Sequence, residues 1–188
     1  GDGLSTLSKY PIVEFERVGW TDCNGADCLT PKGFSYARIQ LAKEVFIDVY
    51  NVHATAQDDP NATIARQKNI NQLKAYIKKY SADRPLLIMG DFNAHYAYEL
   101  DNIGSFQQDL GLVDAWVSLR NKGNIPGHQV NFEAKTALEL TEDCEGIDKI
   151  YYRNNHHLLF EAKNYQVQKK LFQNEKGQDL SDHCAVSL

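Results

Sequence analysis

No apolar run in this 188-residue chain approaches the roughly 20 residues that a membrane-spanning helix requires, so no transmembrane helix is expected. Repeats, low-complexity tracts and Pro/Gly-rich linkers are also missing, which leaves no reason to divide the chain; one domain over residues 1–188 is expected. There is no excess of positive charge. Lys and Arg total 20 against 25 Asp and Glu, a formal net charge of −5, which speaks against a binder held mainly by phosphate electrostatics. A local basic face stays compatible with that total. Of the four cysteines only Cys23 and Cys28 lie close together, so the second ligand pair of a zinc site is lacking. What the chain does have is 43% apolar and 11% aromatic residues, enough for a folded domain with a sizeable core.

Cys23 and Cys28 flank Asn24-Gly25-Ala26-Asp27, a turn-forming stretch that lets them close a small disulfide loop. Asn61-Ala62-Thr63 is the one N-glycosylation sequon, with Asn61 as acceptor. Together they favour an oxidising, extracytosolic setting, and a secreted protein is expected. Gly1 is not a start methionine, and any targeting segment is expected upstream of it.

Phe34 to Leu41 alternates as a strand does, and Val45 to Tyr50 does so more clearly, with Lys43-Glu44 as the turn between them. Ile64, Ile70, Leu73, Ile77 and Tyr80 recur at helical spacing and predict an amphipathic helix from Thr63 to Tyr80, with Arg66, Lys68, Lys74, Lys78 and Lys79 on a solvated outer face. Arg84-Pro85 ends that helix before a strand at Leu86. A shorter helix is predicted from Asp101 to Leu110, stopped by Gly111, and further strands at 146–152, 158–162 and 183–186. The pattern reads as an α/β sheet packed against helices.

Gly90-Asp91-Phe92-Asn93, at the end of the Leu86 strand, is the most informative string. Residues two apart on an extended segment face the same side, so Asp91 and Asn93 can converge on a phosphate or a metal-bound water; an Asx turn is the structural alternative. Near the other end, Ser181-Asp182-His183 sets a carboxylate suited to a hard cation beside an imidazole that ionises near pH 6.5, about where a general base works. Asp182 could instead cap its turn. Lys32 could bind phosphate or belong to a turn entering a strand. His53 and Asn51 arrive at the end of a second strand. Tyr96 and Tyr98 read as packing or stacking residues, and His95 as a residue of the rim. His128, His156 and His157 lie in loop-like surroundings without an evident partner.

The ordered set Ser8-Lys9-Tyr10-Pro11, Lys32-Gly33-Phe34, Asn51-Val52-His53, Gly90-Asp91-Phe92-Asn93, Gly146-Ile147-Asp148 and Ser181-Asp182-His183 resembles the endonuclease/exonuclease/phosphatase superfamily, the group of deoxyribonuclease I. Within it, Cys23 to Phe34 and Val52 to Asp58 are similar to stretches of secreted bacterial and fungal sphingomyelinase-like members. The resemblance implies a four-layer α/β sandwich. It also implies that the family's first strands and its metal-binding glutamate precede Gly1, so the fold is N-terminally incomplete in this chain. Activity is then expected to need that segment, supplied by a separate N-terminal fragment, unless the chain is a truncated member.

The implied roles are specific. His183 is the general base and Asp148 the aspartate that orients it. Asp91 orients water and contributes to the metal site with Asp182, and Asn93 donates to the phosphoryl oxygen. His53 contacts phosphate and assists the leaving group, with Asn51 and Lys32 assigned to the phosphate end of the site. Magnesium is the expected cofactor, since oxygen ligands select hard cations. Cys144 is left free, paired with Cys184, or paired outside this chain. The expected activity is hydrolysis of a phosphodiester by in-line water attack, sphingomyelinase-like, with a lipid headgroup as substrate. A deoxyribonuclease I-like nuclease acting on nucleic acid and a non-catalytic binding protein of the same fold are the alternatives. No apolar hairpin is evident between Tyr151 and Gly177, and Lys163, Lys169 and Lys170 lend that region positive charge.

Overall fold

The computed structural model describes residues 2–188, built on a six-stranded mixed sheet. In chain order its strands are β1 (Ile12–Gly19), β2 (Gly33–Ala42), β3 (Val45–His53), β4 (Leu86–Asp91), β5 (Val113–Asp114) and β6 (Asp148–Arg153); across the sheet they run β1-β2-β3-β4-β6-β5. Helices α1 (Pro60–Tyr80), α2 (Ile103–Leu110) and α3 (Ala115–Leu119) complete the α/β framework, and β7 (Gln166–Gln168) pairs with β8 (Ala185–Ser187) in a separate ladder. Among the described residues no helix is long and apolar enough to cross a membrane.

The β2–β3 hairpin turns at Lys43-Glu44, where Glu44 takes a left-handed φ of 61°. β3 and β4 are parallel, a pairing that needs a long crossover, and α1 supplies it. The sheet is buried on both faces. Phe34, Tyr36, Tyr50, Val52, Leu86 and Ile88 meet Ile70, Leu73 and Ile77 of α1 and Phe106 of α2. Ala37, Ile39, Ile47 and Val49 point the other way, toward Leu158 and Phe160. Each fully buried aliphatic side chain contributes about 1.5–3 kcal/mol.

Several sequence expectations shift for identifiable reasons. α1 starts at Pro60 rather than Thr63, because the Asp59 carboxylate accepts from the amides of Asn61 (3.0 Å) and Ala62 (3.1 Å). Its inward face also differs. Ile64 is 52% exposed and Tyr80 is exposed, whereas Arg66, expected outside, is only 2% exposed. Lys68 and Lys74 do lie outside, paired with Asp22 and Asp109. The expected strand at 158–162 is irregular. Asn154 and Asn155 take up its backbone, the Asn155 carboxamide oxygen accepting from His157 and Leu158 and that of Asn154 from Phe160. β1, α3 and β7 were not anticipated. β1 is an exposed edge strand of mixed polarity that exists through its pairing with β2.

His95 is not on the rim. It is 4% exposed, packed against Tyr98 and Phe132, with neither ring nitrogen hydrogen-bonded. Tyr96 is buried beside it and bonds Gln107, Asp114 and Tyr151, so packing is its role; Tyr98 is half-buried. Burial, then the nearby Lys149 charge, pushes the His95 imidazole down from 6.5 to about 4.

Two outcomes are expected. An imidazole neutral in the fold but ionising near 6.5 once unfolded leaves stability intact above that pH and withdraws it as the pH falls toward 4, by about 3 kcal/mol in all. His95→Phe therefore flattens the urea-midpoint profile between those values; a profile parallel to that of the wild type would refute the assignment. At Gly90 (φ 133°), an added Cβ would lie 2.2 Å from the Val52 carbonyl oxygen. Gly90→Ala should cost roughly 2–5 kcal/mol in denaturant titration, and a loss within error of zero would contradict the packing.

Candidate active site

The parallel β3–β4 register sets His53 beside Asp91, and the antiparallel β4–β6 register sets Asp91 beside Asp148. Three polar side chains thus stand in a row at one end of three adjacent strands, on one face of the sheet. His183, just before β8, reaches the same row. Its Nδ1 lies 2.7 Å from Asp148 Oδ2, and its Nε2 lies 3.8 Å from Asp91 Oδ2. His53 Nε2 stands 3.7 Å from that same Asp91 oxygen, so one carboxylate oxygen lies between two imidazoles.

Asp91 and Asn93 form the Asx turn that was the structural alternative, at the wall of the cleft. The Asn93 amide donates to Asp91 Oδ1 (2.8 Å), an Asx turn, while Asn93 Nδ2 donates to Asp91 Oδ2 (3.0 Å) and to the Ala54 carbonyl (3.1 Å). Asn93 adopts a left-handed φ of 49°, which asparagine tolerates better than most residues. Both Nδ2 hydrogens are thus engaged, so the carboxamide holds Asp91 and the loop after β3 in place, and it has no N–H left for the phosphoryl oxygen expected of it.

The electrostatics divide the two histidines. The hydrogen bond to Asp148 is the largest cause that raises the His183 pKa to about 9, against a smaller opposing effect of burial. The Nδ1–H donates to Asp148, so Nε2 faces Asp91. His53 goes the other way, lowered first by burial and then by the charge of Lys32. Its Nδ1 lies 2.8 Å from the Asp2 carbonyl, and as a neutral ring it donates there and keeps Nε2 as an acceptor. The Asp91 carboxyl is raised by burial and then by Asp148.

A cleft of about 680 Å³ gathers His53, Asn51, Lys32, Asp91, Asn93, Asp148, Asp182 and His183, every residue expected in the catalytic, phosphate and metal roles. Two of them have other commitments. Lys32 Nζ pairs with Asp27 (2.9 Å) and reaches the Ala54 carbonyl (3.5 Å), which ties the disulfide loop to the end of β3. Asn51, expected at the phosphate end, donates to the Ser5 carbonyl (3.2 Å) and holds that segment. Asp182 is exposed, with Ser181 Oγ 3.5 Å from its carboxylate.

Among the described residues, no three or more His, Cys, Asp or Glu side chains are gathered closely enough to hold a metal ion. The donor chemistry nevertheless fits a hard divalent cation. Four aspartates, Asp2, Asp91, Asp148 and Asp182, line one cleft, and Asp91 is raised by burial and then by the charge of Asp148, a crowding that a cation would relieve. Asp182 and Asp91 would hold it, with water and substrate oxygens completing the shell.

The sequence reading missed the backbone of Asp2 as the partner of His53. It also missed an apolar feature beside His183. The chain folds back between Phe172 and Leu180, whose amide donates to the Phe172 carbonyl (3.0 Å), with a bridge from Gln173 to Asp179. Phe172 is 50% and Leu180 67% exposed, with Leu171 alongside. They escaped notice because the tip, Asn174 to Gln178, is polar and the apolar residues stand at the base. Phe172 and Leu180, with Met89, Ile150 and Val186, line a groove of about 460 Å³ that shares Gly90, Asp148, Ser181 and His183 with the acidic cleft.

Cys23 and Cys28 form the expected disulfide, while Cys144 and Cys184 are free. Asn61 is exposed in the first turn of α1. His156 and His157 lie against each other outside the cleft, their ring centroids 3.7 Å apart and their planes tilted by 46°, and His128 lies beside α2.

The sequence pattern described as the Endonuclease/Exonuclease/phosphatase family matches residues 1–183. The chain is 35% identical over 182 residues to a sphingomyelinase of Mycobacterium tuberculosis (strain H37Rv), an alignment that covers 97% of this chain and 35% of that protein. It thus spans about a third of the length of that relative. In fold it is similar to sphingomyelinase C from Streptomyces griseocarneus, with a TM-score of 0.65 at 21% identity over 95% of this chain and 64% of the other. It is also similar to a Staphylococcus aureus beta toxin variant with bound magnesium ions, with a TM-score of 0.59 at 17% identity over 95% and 64%. These likenesses give no support to a separate N-terminal fragment. The expected α/β sandwich stands, and the chain belongs to the Endonuclease/Exonuclease/phosphatase family.

Proposed function

We propose that this chain carries the catalytic face of a secreted, magnesium-dependent phosphodiesterase of sphingomyelinase type. The observation that carries the reading is the His183–Asp148 pair at 2.7 Å, with Asp91 Oδ2 between the His183 and His53 rings. Asp148 fixes the ring so that His183 Nε2 faces the cleft, where it takes the proton of the attacking water. Water adds to phosphorus as the bond to the leaving oxygen breaks; that oxygen departs as the alcohol with a proton drawn from solvent, and the proton taken by His183 Nε2 returns to solvent. Asp91, gripped by Asn93, orients the water. His53, on the other side of Asp91, presents Nε2 toward the phosphate end. Asp182 and Asp91 would hold a magnesium ion, which would supply charge neutralisation at the phosphoryl oxygens. With His183 raised to about 9, the fraction of neutral imidazole able to take that proton, and the rate with it, should rise as the pH rises toward that value.

The exposed Leu171, Phe172 and Leu180 beside His183 favour a lipid substrate over nucleic acid, as does the net charge of −5. The disulfide and the exposed Asn61 support secretion and glycosylation. A nuclease of the same fold would instead need a basic groove across the cleft.

Sphingomyelin in vesicles should be hydrolysed and supercoiled plasmid DNA left intact; the reverse result would select the nuclease. Tight phosphodiester binding without turnover would select the binding protein. Hydrolysis should stop with EDTA and fall about 10²- to 10⁴-fold in His183→Ala, and activity that survives either change sinks the mechanism. Asp148→Asn should bring the His183 pKa from about 9 down toward 6.5, read by NMR titration of the imidazole, together with a loss of rate. An unmoved titration would show that the pair does not exist in solution.

A further inference from the structure

We infer that Arg66 and Asp101 form a buried clamp that positions the two loops that follow His53 and Asp91, the second of which carries Asn93, and that both are positioning residues for the reaction proposed above. The inference rests on that reading only for its catalytic consequence. An arginine in mid-helix normally projects into water, yet Arg66 is 2% exposed and Asp101 is 8% exposed. The guanidinium has all three nitrogens engaged. Nε (3.0 Å) and Nη2 (2.9 Å) meet Asp101 Oδ1, Nη1 donates to the carbonyls of Thr55 and Gln57, and Nη2 reaches Asp58 (3.4 Å).

The other Asp101 oxygen accepts the amide of His95 at 2.9 Å. One ion pair therefore grips the loop after β3 directly and the loop after β4 through the His95 amide. One turn along α1, buried Asn69 takes both the amide (3.0 Å) and the hydroxyl (2.7 Å) of Thr55. Thr55 follows Ala54, whose amide donates to the Asp91 carbonyl (2.9 Å) and whose own carbonyl accepts from Asn93 Nδ2 (3.1 Å). Asn93 is thus reached from both sides, through Thr55-Ala54 and through His95-Ala94.

Stability alone is a poor reason for this arrangement. Removing two charges from water is costly, and apolar residues of similar volume often replace such a pair without loss. Burial raises the Asp101 carboxyl even against the Arg66 charge beside it. What apolar replacements cannot do is hold two carbonyls and an amide at fixed positions. The loops need such holding, since Gln57 (φ 74°) and Asn93 (φ 49°) both adopt left-handed backbone that relaxes if released.

The test uses Arg66→Lys, which keeps the charge but offers one nitrogen in place of three, and Asp101→Asn, which keeps the volume but leaves one acceptor for two sets of donors. At a temperature where each variant is folded, kcat on a phosphodiester should fall about 10²-fold while KM stays within about threefold. Native-state hydrogen exchange should quicken about tenfold or more at the His95 and Thr55 amides and stay unchanged in the body of β3 and α1. A lowered Tm with kcat per folded molecule intact, or exchange unchanged at those amides, overturns the clamp. If Arg66→Lys does not fold, Asp101→Asn decides. If the wild type hydrolyses no phosphodiester, the functional reading fails, and the exchange measurement still decides the clamp.

Discussion

Everything at the candidate site depends on the registers of β3, β4 and β6. A parallel pairing of β3 with β4 and an antiparallel pairing of β4 with β6 bring His53, Asp91 and Asp148 side by side. A one-residue slip would turn a whole strand's side chains to the other face. Two things prevent it. Both faces of the sheet are buried, so a slipped strand would lose apolar contacts on each side. Gly90 also lies so close to Val52 that only a residue without a Cβ fits, which leaves little freedom to shift. Packing far from the cleft therefore sets its chemistry.

That alignment concentrates charge. Asp91 is raised by burial and by Asp148, His183 is raised by Asp148, and His53 is lowered by burial and by Lys32. Two histidines a few ångströms from one carboxylate are driven in opposite directions, one toward keeping a proton and the other toward neutrality. The hydrogen bond to Asp148 on one side and burial on the other separate them. The concentrated charge also explains why a cation suits the cleft, since the carboxylates outnumber the positive charges facing them.

The cleft is bordered on one side by an apolar groove and exposed leucine and phenylalanine side chains, and underlain on the other by a buried polar network. The groove bears on which substrate can lie down beside His183. The network, centred on Arg66, bears on how firmly the loops present their groups. Membership of the Endonuclease/Exonuclease/phosphatase family accounts for the ordered motifs around the cleft.

Much of the site was legible in the sequence because its residues sit at strand ends and in short polar strings that break apolar runs. Asp91-Asn93, His183 and the Cys23–Cys28 loop could be read from local chemistry, and the roles of His53 and Asp148 from resemblance; the cleft unites them. The β2–β3 hairpin and α2 were likewise written in local periodicity and turn residues. Tertiary structure alone decided the rest. Arg66 reads as a surface charge until Asp101, thirty-five positions away, is folded against it. His95 reads as polar until aromatic side chains enclose it, and the segment at 158–162 reads as a strand until asparagine side chains capture its backbone. Local pattern records what a residue prefers in water and among its neighbours in the chain. Which distant groups can replace that water is settled only when the chain closes on itself.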